Sequence, residues 1–153
     1  MVTSLSDWIT EMSEQHREPP QELNTQMVTD GMHALLREEQ IRTVFQPIIR
    51  FRDGSVYGYE ALSRGPAGSL FESPTVLFSL AEHLGLVWEL EYLCRRLAIQ
   101  RYAAMQHTEL LFLNVNPHVL ADPRLIDAMT RAPLMRSIYD QNRLCLKSQR
   151  KPR

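Results

Sequence analysis

Apolar and polar residues alternate along this chain in two distinct rhythms. Over residues 30–40, Met32, Leu35 and Leu36 fall on one side of a helix. Residues 43–49 then read as a strand, and Pro47 within it lacks the N–H that a sheet ladder needs. That strand is therefore expected at a sheet edge, or to end early. Asp53-Gly54 is a strong hairpin signal, so residues 56–63 are expected to return antiparallel. Next comes a punctuated helix, with Ser73 placed to cap it, Pro74 suited to its first turn and Gly85 stopping it after Leu84. Its apolar face is Leu77, Leu80, Ala81 and Leu84. A longer helix follows over about 88–105, with Leu90, Leu93, Cys94, Leu97 and Ala98 at helical spacing. Both stripes read as packing faces.

Residues 110–115 form an apolar run suited to a fully buried parallel strand, broken by Asn116-Pro117. Asp122-Pro123 has the form of a cap and first turn for a helix to about residue 132. Residues 143–146 offer one more short strand. Strands alternating with helices argue for an α/β domain with parallel core strands, opening on an antiparallel β-hairpin. Residues 1–26 read as a polar, weakly ordered leader, in which Ser6-Asp7 would cap a short helix carrying Trp8, Ile9 and Met12 before Pro19-Pro20 ends it. Residues 27–146 make the domain, and 147–153 a basic, solvated tail with four Lys or Arg among seven residues.

Composition narrows the classes. Hydrophobic residues make up 44% of the chain and charged residues 23%, as in ordinary globular proteins. A net charge of −1 provides no general field for nucleic acid or an anionic membrane. The polar first twenty residues do not resemble a signal peptide, and apolar runs such as residues 110–113 are far below the ~20 needed to span a bilayer. Cys94 and Cys145 form no metal motif or disulfide framework, so reduced thiols and a cytoplasmic location are expected.

The chemistry concentrates on two strands. Because side chains alternate faces, Gly58, Glu60, Leu62 and Arg64 share one side of theirs. A carboxylate and a guanidinium on a largely apolar strand are costly to bury without partners. They either pair with neighbours and solvent at the strand end, or Glu60 binds a hard cation while Arg64 holds a phosphate. Asn114 closes the next apolar strand, as a satisfied turn residue or as a ligand.

Four segments, in order and correctly spaced, resemble the EAL domain. They are Phe45-Gln46-Pro47-Ile48, Tyr57-Gly58-Tyr59-Glu60-Ala61-Leu62-Ser63-Arg64, the helix of residues 74–85, and Leu111-Phe112-Leu113-Asn114-Val115-Asn116-Pro117. The resemblance implies the opening part of a modified TIM barrel. It further implies hydrolysis of cyclic di-GMP to pGpG with Mg²⁺ or Mn²⁺, the ions activating water and neutralising phosphate charge. By resemblance Glu60 and Asn114 match metal ligands, while Gln46, Leu62 and Arg64 match nucleotide contacts, with Arg64 directed at phosphate.

The resemblance also marks a departure. A TIM barrel takes ~250 residues, and this sequence has 153. Where the family continues with a Glu-rich strand motif, paired aspartates, a catalytic lysine and a further glutamate, residues 147–153 read Lys-Ser-Gln-Arg-Lys-Pro-Arg. A frame change or premature stop in a once longer gene is expected to leave that pattern. Two ligands are expected to hold Mg²⁺ weakly, because the ion gives up water reluctantly. The expectation is thus a member of cyclic-di-GMP signalling without hydrolytic activity. The alternative is a non-catalytic module that senses the nucleotide weakly, binds a protein partner, or self-associates through an unpaired strand edge.

Overall fold

The computed structural model describes residues 25–116, 122–124 and 144–148. The described residues fall into two compact units, one of 25–40 with 65–90, the other of 41–64 with everything from 91 on. No helix among them is long and apolar enough to cross a membrane. The expected leader up to residue 24, and all but the first residues of the helix expected over 122–132, lie outside the described residues; residues 25 and 26 of that leader are helical.

In the first unit, helix α1 spans Thr25–Arg37 and buries Val28, Met32 and Leu35, an i, i+4, i+7 stripe. It begins five residues before the expected start because Val28 extends that stripe by one turn. It ends three residues early because Glu39 takes a left-handed backbone (φ 55). Gln40 N–H then bonds back to the Leu35 carbonyl at 3.0 Å, closing the last turn. Helix α2 spans Pro74–Leu84 and buries Val76, Leu77, Leu80 and Ala81. Ser73 does stand at its N-cap in extended conformation, yet its hydroxyl makes no capping hydrogen bond, so Pro74 and the backbone set the start. Gly85 (φ 69) ends it in the left-handed region, with Leu86 N–H bonding to the Ala81 carbonyl at 2.8 Å. Helix α3 runs Val87–Ala104 and passes from the first unit into the second.

The second unit is a four-stranded sheet in the order β1 (Arg42–Ile49), β2 (Val56–Arg64), β3 (Leu110–Val115), β4 (Leu144–Ser148). The expected hairpin joins β1 and β2 antiparallel. Its turn is held by Asp53, whose carboxylate accepts from the Ser55 N–H (3.0 Å) and hydroxyl (2.6 Å), while Gly54 takes φ 70. Pro47 sits in β1 at one edge of the described sheet, where its missing N–H breaks no ladder between neighbours. β2, β3 and β4 are parallel. Gly58 is required at the β2–β3 seam, since a Cβ there would lie 2.5 Å from the Leu110 carbonyl oxygen.

One face of this sheet holds the core. Phe45, Tyr59, Ala61, Leu111, Leu113 and Leu144 pack against Ala98, Ile99, Tyr102 and Ala103 of α3. Tyr102 is fully buried, its ring 5.6 Å from Phe45, 6.1 Å from Tyr59 and 5.6 Å from His107, and its hydroxyl donates to the Glu109 carbonyl at 3.0 Å. Arg101 ties the helix to β1 through Thr43 Oγ1 at 2.8 Å.

Two expectations change. β3 is buried on one face only, at Leu111, Leu113 and Val115, because among the described residues α3 covers that face alone. Helix α3 buries more than a stripe: Ile99 and Tyr102 join Leu90, Leu93, Cys94, Leu97 and Ala98, and so do Glu91 and Arg95.

Candidate functional site

The face of the sheet opposite α3 carries the candidate chemistry. Across the hairpin Gln46 pairs with Glu60, Val44 with Leu62 and Arg42 with Arg64. Paired residues share a face, and alternation puts Gln46, Glu60, Leu62 and Arg64 opposite the Phe45–Tyr59–Ala61 core layer. The parallel registers extend this layer through Phe112, paired with Glu60, to Asn114 and then Lys147, which pair with each other. All five residues expected at the site therefore lie on one sheet face, from Gln46 and Glu60 at mid-strand to Leu62, Arg64 and Asn114 nearer the C-terminal ends of β2 and β3. Parallel α/β barrels gather their reactive groups at that end.

Contact is closest at Glu60. Its side chain is 19% exposed, and Asn114 Nδ2 donates to Oε1 at 2.7 Å. The second carboxylate oxygen, Oε2, accepts from Lys147 Nζ at 3.4 Å. Glu60 and Asn114 are thus brought together across 54 residues of chain. Gln46 is exposed on β1 directly beside Glu60, Leu62 is half-buried, and Arg64 stands half-buried at the end of β2.

Two groups escaped the sequence reading. Lys147 was assigned to a solvated tail, but β4 continues through Ser148 and places it in the ladder beside Asn114. The signal was the strand run of residues 144–146, whose parallel partner could not be identified locally. The other is the buried ion pair of Glu91 and Arg95, one helical turn apart on α3. Glu91 Oε1 also accepts the Asn116 N–H at 3.1 Å, fastening the chain just after β3. Burial raises the Glu91 carboxyl above its ordinary value, opposed by Arg95, and lowers Arg95. An i, i+4 pair of opposite charges inside an apolar stripe was the available signal. Cys94 lies in the same packed region, and burial pushes its thiol up to about 12.

A model of the EAL domain family matches residues 29–149, so the chain belongs to the EAL domain family. Its fold is similar to the EAL domain of Xanthomonas citri FimX in complex with c-diGMP, with TM-score 0.65, 21% identity, and coverage of 80% of this chain and 49% of that one. The FimX EAL domain from Pseudomonas aeruginosa bound to c-di-GMP gives TM-score 0.62 and 23% identity, covering 79% and 49%. A c-di-GMP complex of the phosphodiesterase PaMucR gives 0.60 and 19%, covering 78% and 50%. The chain thus spans about half the length of these solved structures, and at such identities they show the fold. No curated protein matches it.

The family's implied divalent ion can be tested against the donors present. Among the described residues no group of three or more His, Cys, Asp or Glu side chains could hold a metal ion. The side chains that donate to the Glu60 carboxylate are one neutral amide and one ammonium, Asn114 and Lys147. A hard dication requires several oxygen ligands, and this set does not fit it.

Proposed function

We propose that this chain belongs to cyclic-di-GMP signalling as a nucleotide-binding element that does not hydrolyse the nucleotide. The observation that carries this reading is the shared sheet face of Glu60, Leu62, Arg64 and Asn114 on the parallel strands β2 and β3, with Gln46 beside Glu60 on antiparallel β1. Its support is family membership, together with solved relatives of the same fold that hold c-di-GMP. Arg64 offers a planar donor fork to a phosphate, Leu62 an apolar contact to a base or sugar, and Gln46 an amide that donates and accepts. The donor set among the described residues supports the loss of hydrolysis. Phosphodiester hydrolysis in this family relies on metal-activated water, and Glu60 stands beside a lysine instead of a further carboxylate.

Titration calorimetry with cyclic di-GMP, paired with chromatography for pGpG, tests both parts. Binding is expected without product, and Arg64→Ala should weaken it by about 10–100-fold, the worth of a charge-assisted phosphate contact. Accumulation of pGpG that depends on Glu60 would overturn the claim of inactivity. No heat at millimolar nucleotide would overturn the claim of binding. A second reading, a protein partner or a second copy of this chain, is favoured by the exposed Val44, Ile49 and Phe51 along β1 and its turn. Sedimentation of the chain at increasing concentration reads it directly.

A further inference from the structure

The juxtaposition of Glu60, Asn114 and Lys147 carries a further step. Lys147 is the register partner of Asn114 on the adjacent parallel strand, so the sheet itself aims both side chains at the same face. Both Glu60 oxygens are engaged by donors, Oε1 by the Asn114 amide and Oε2 by the Lys147 ammonium. A divalent ion coordinated by Glu60 would sit about 2.1 Å from a carboxylate oxygen. With Lys147 Nζ only 3.4 Å from that carboxylate, ion and ammonium would repel each other at close range.

We propose that Lys147 is the resident counter-cation of this site: its ammonium neutralises Glu60 and bars a divalent ion from the Glu60–Asn114 pair. A phosphate reaching this end of the sheet then meets an ammonium whose backbone position the register sets, and its binding is indifferent to chelators. The proposal rests on reading Glu60 and Asn114 as the ion-facing side of the site, which belongs to the proposed function. It does not require that the nucleotide bind.

The test uses Mn²⁺ alone, followed by the loss of the free-ion electron paramagnetic resonance signal on the intact chain, so failure of nucleotide binding leaves it readable. The wild-type protein should show no Glu60-dependent uptake up to about 1 mM Mn²⁺, the concentration at which a millimolar site would half-fill. Lys147→Glu reverses the charge beside Glu60 and should create a site roughly tenfold or more tighter, by the dependence of ion affinity on ligand charge. Adding Glu60→Gln should abolish it. Lys147→Met keeps the aliphatic stem, removes the charge, and should fall between wild type and Lys147→Glu. It also decides the question if Lys147→Glu does not fold. Uptake by the wild type that depends on Glu60 and equals the variants' would overturn the proposal. So would the absence of any gain in both Lys147 variants.

Discussion

Tyr102 offers the most direct test of how this sheet is held. It is 2% exposed, its ring meets Phe45, Tyr59 and His107, and its hydroxyl donates to the Glu109 carbonyl. Substituting Phe removes only the hydrogen bond, at about 0.5–1.5 kcal/mol. Leu removes the ring contacts as well. Aromatic pairs contribute about 0.5–1.5 kcal/mol each beyond buried area. With three partners, Leu should thus cost roughly 2–6 kcal/mol in total. Ala leaves a cavity besides, at about 3–5 kcal/mol for a buried aromatic. At about 2–8 °C per kcal/mol, the Phe variant should melt well above both Leu and Ala, with Ala lowest or level with Leu. Circular dichroism with a urea series checks the order. Tyr102→Phe melting as low as Tyr102→Ala would refute the argument, because the hydroxyl would then outweigh the ring. The site should respond too. Phe45 precedes Gln46 and Tyr59 precedes Glu60, so a loosened aromatic layer frees the strands that carry the opposite face. Nucleotide affinity, where measured, should fall with Tyr102→Leu and be nearly unchanged with Tyr102→Phe.

Glu91→Gln tests the buried pair. Burial raises Glu91, so the folded chain binds its proton more readily than the unfolded chain; stability from this group is present below the unfolded value and lost as pH rises through the folded one. Melting curves against pH should therefore show the Gln variant, which keeps an acceptor for the Asn116 N–H, gaining on wild type as pH rises; the opposite trend contradicts the raised value. Iodoacetamide at neutral pH should label Cys145, which is partly exposed, and spare Cys94, whose thiol burial holds at about 12. Peptide mass spectrometry reads this, and equal labelling would show that the packing around α3 does not enclose Cys94. Gly58→Ala forces a Cβ against the Leu110 carbonyl and should cost about 1–3 kcal/mol, the range for overpacking; an unchanged denaturation midpoint would mean the β2–β3 seam is looser than described.

Local signals proved legible where one residue type answers one backbone demand. Asp53-Gly54 turned the hairpin and Gly85 ended α2, since a left-handed φ and a short side-chain cap are settled within a few residues. The strand pattern of Val56–Arg64 put Glu60, Leu62 and Arg64 on one face for the same reason. Features set by distant pairing were not legible. Lys147 looked like the start of a basic tail because its meaning comes from Asn114, 33 positions upstream, and Glu60, 87 positions upstream. The burial of Glu91 and Arg95 is not legible locally, because charges on a helix ordinarily face water. Their burial depends on where β3 ends.

The two faces of this sheet divide the work, and that division makes the family resemblance more informative than the motif alone. Phe45, Tyr59, Ala61, Leu111 and Leu113 fasten the strands to α3 and would do so whatever the opposite face carried. Gln46, Glu60, Leu62, Asn114 and Lys147 are free of that duty, so their chemistry can change while the fold persists. A positive charge at residue 147 therefore leaves the register intact, since Lys147 still pairs with Asn114, and alters only what Glu60 can hold. Fold and chemistry are coupled on one face of β4 and separable on the other. The Glu60-Ala61-Leu62 segment contains both: Ala61 packs into the core, Glu60 faces a lysine, and the ancestry the tripeptide records is carried by the first fact while the chemistry is decided by the second.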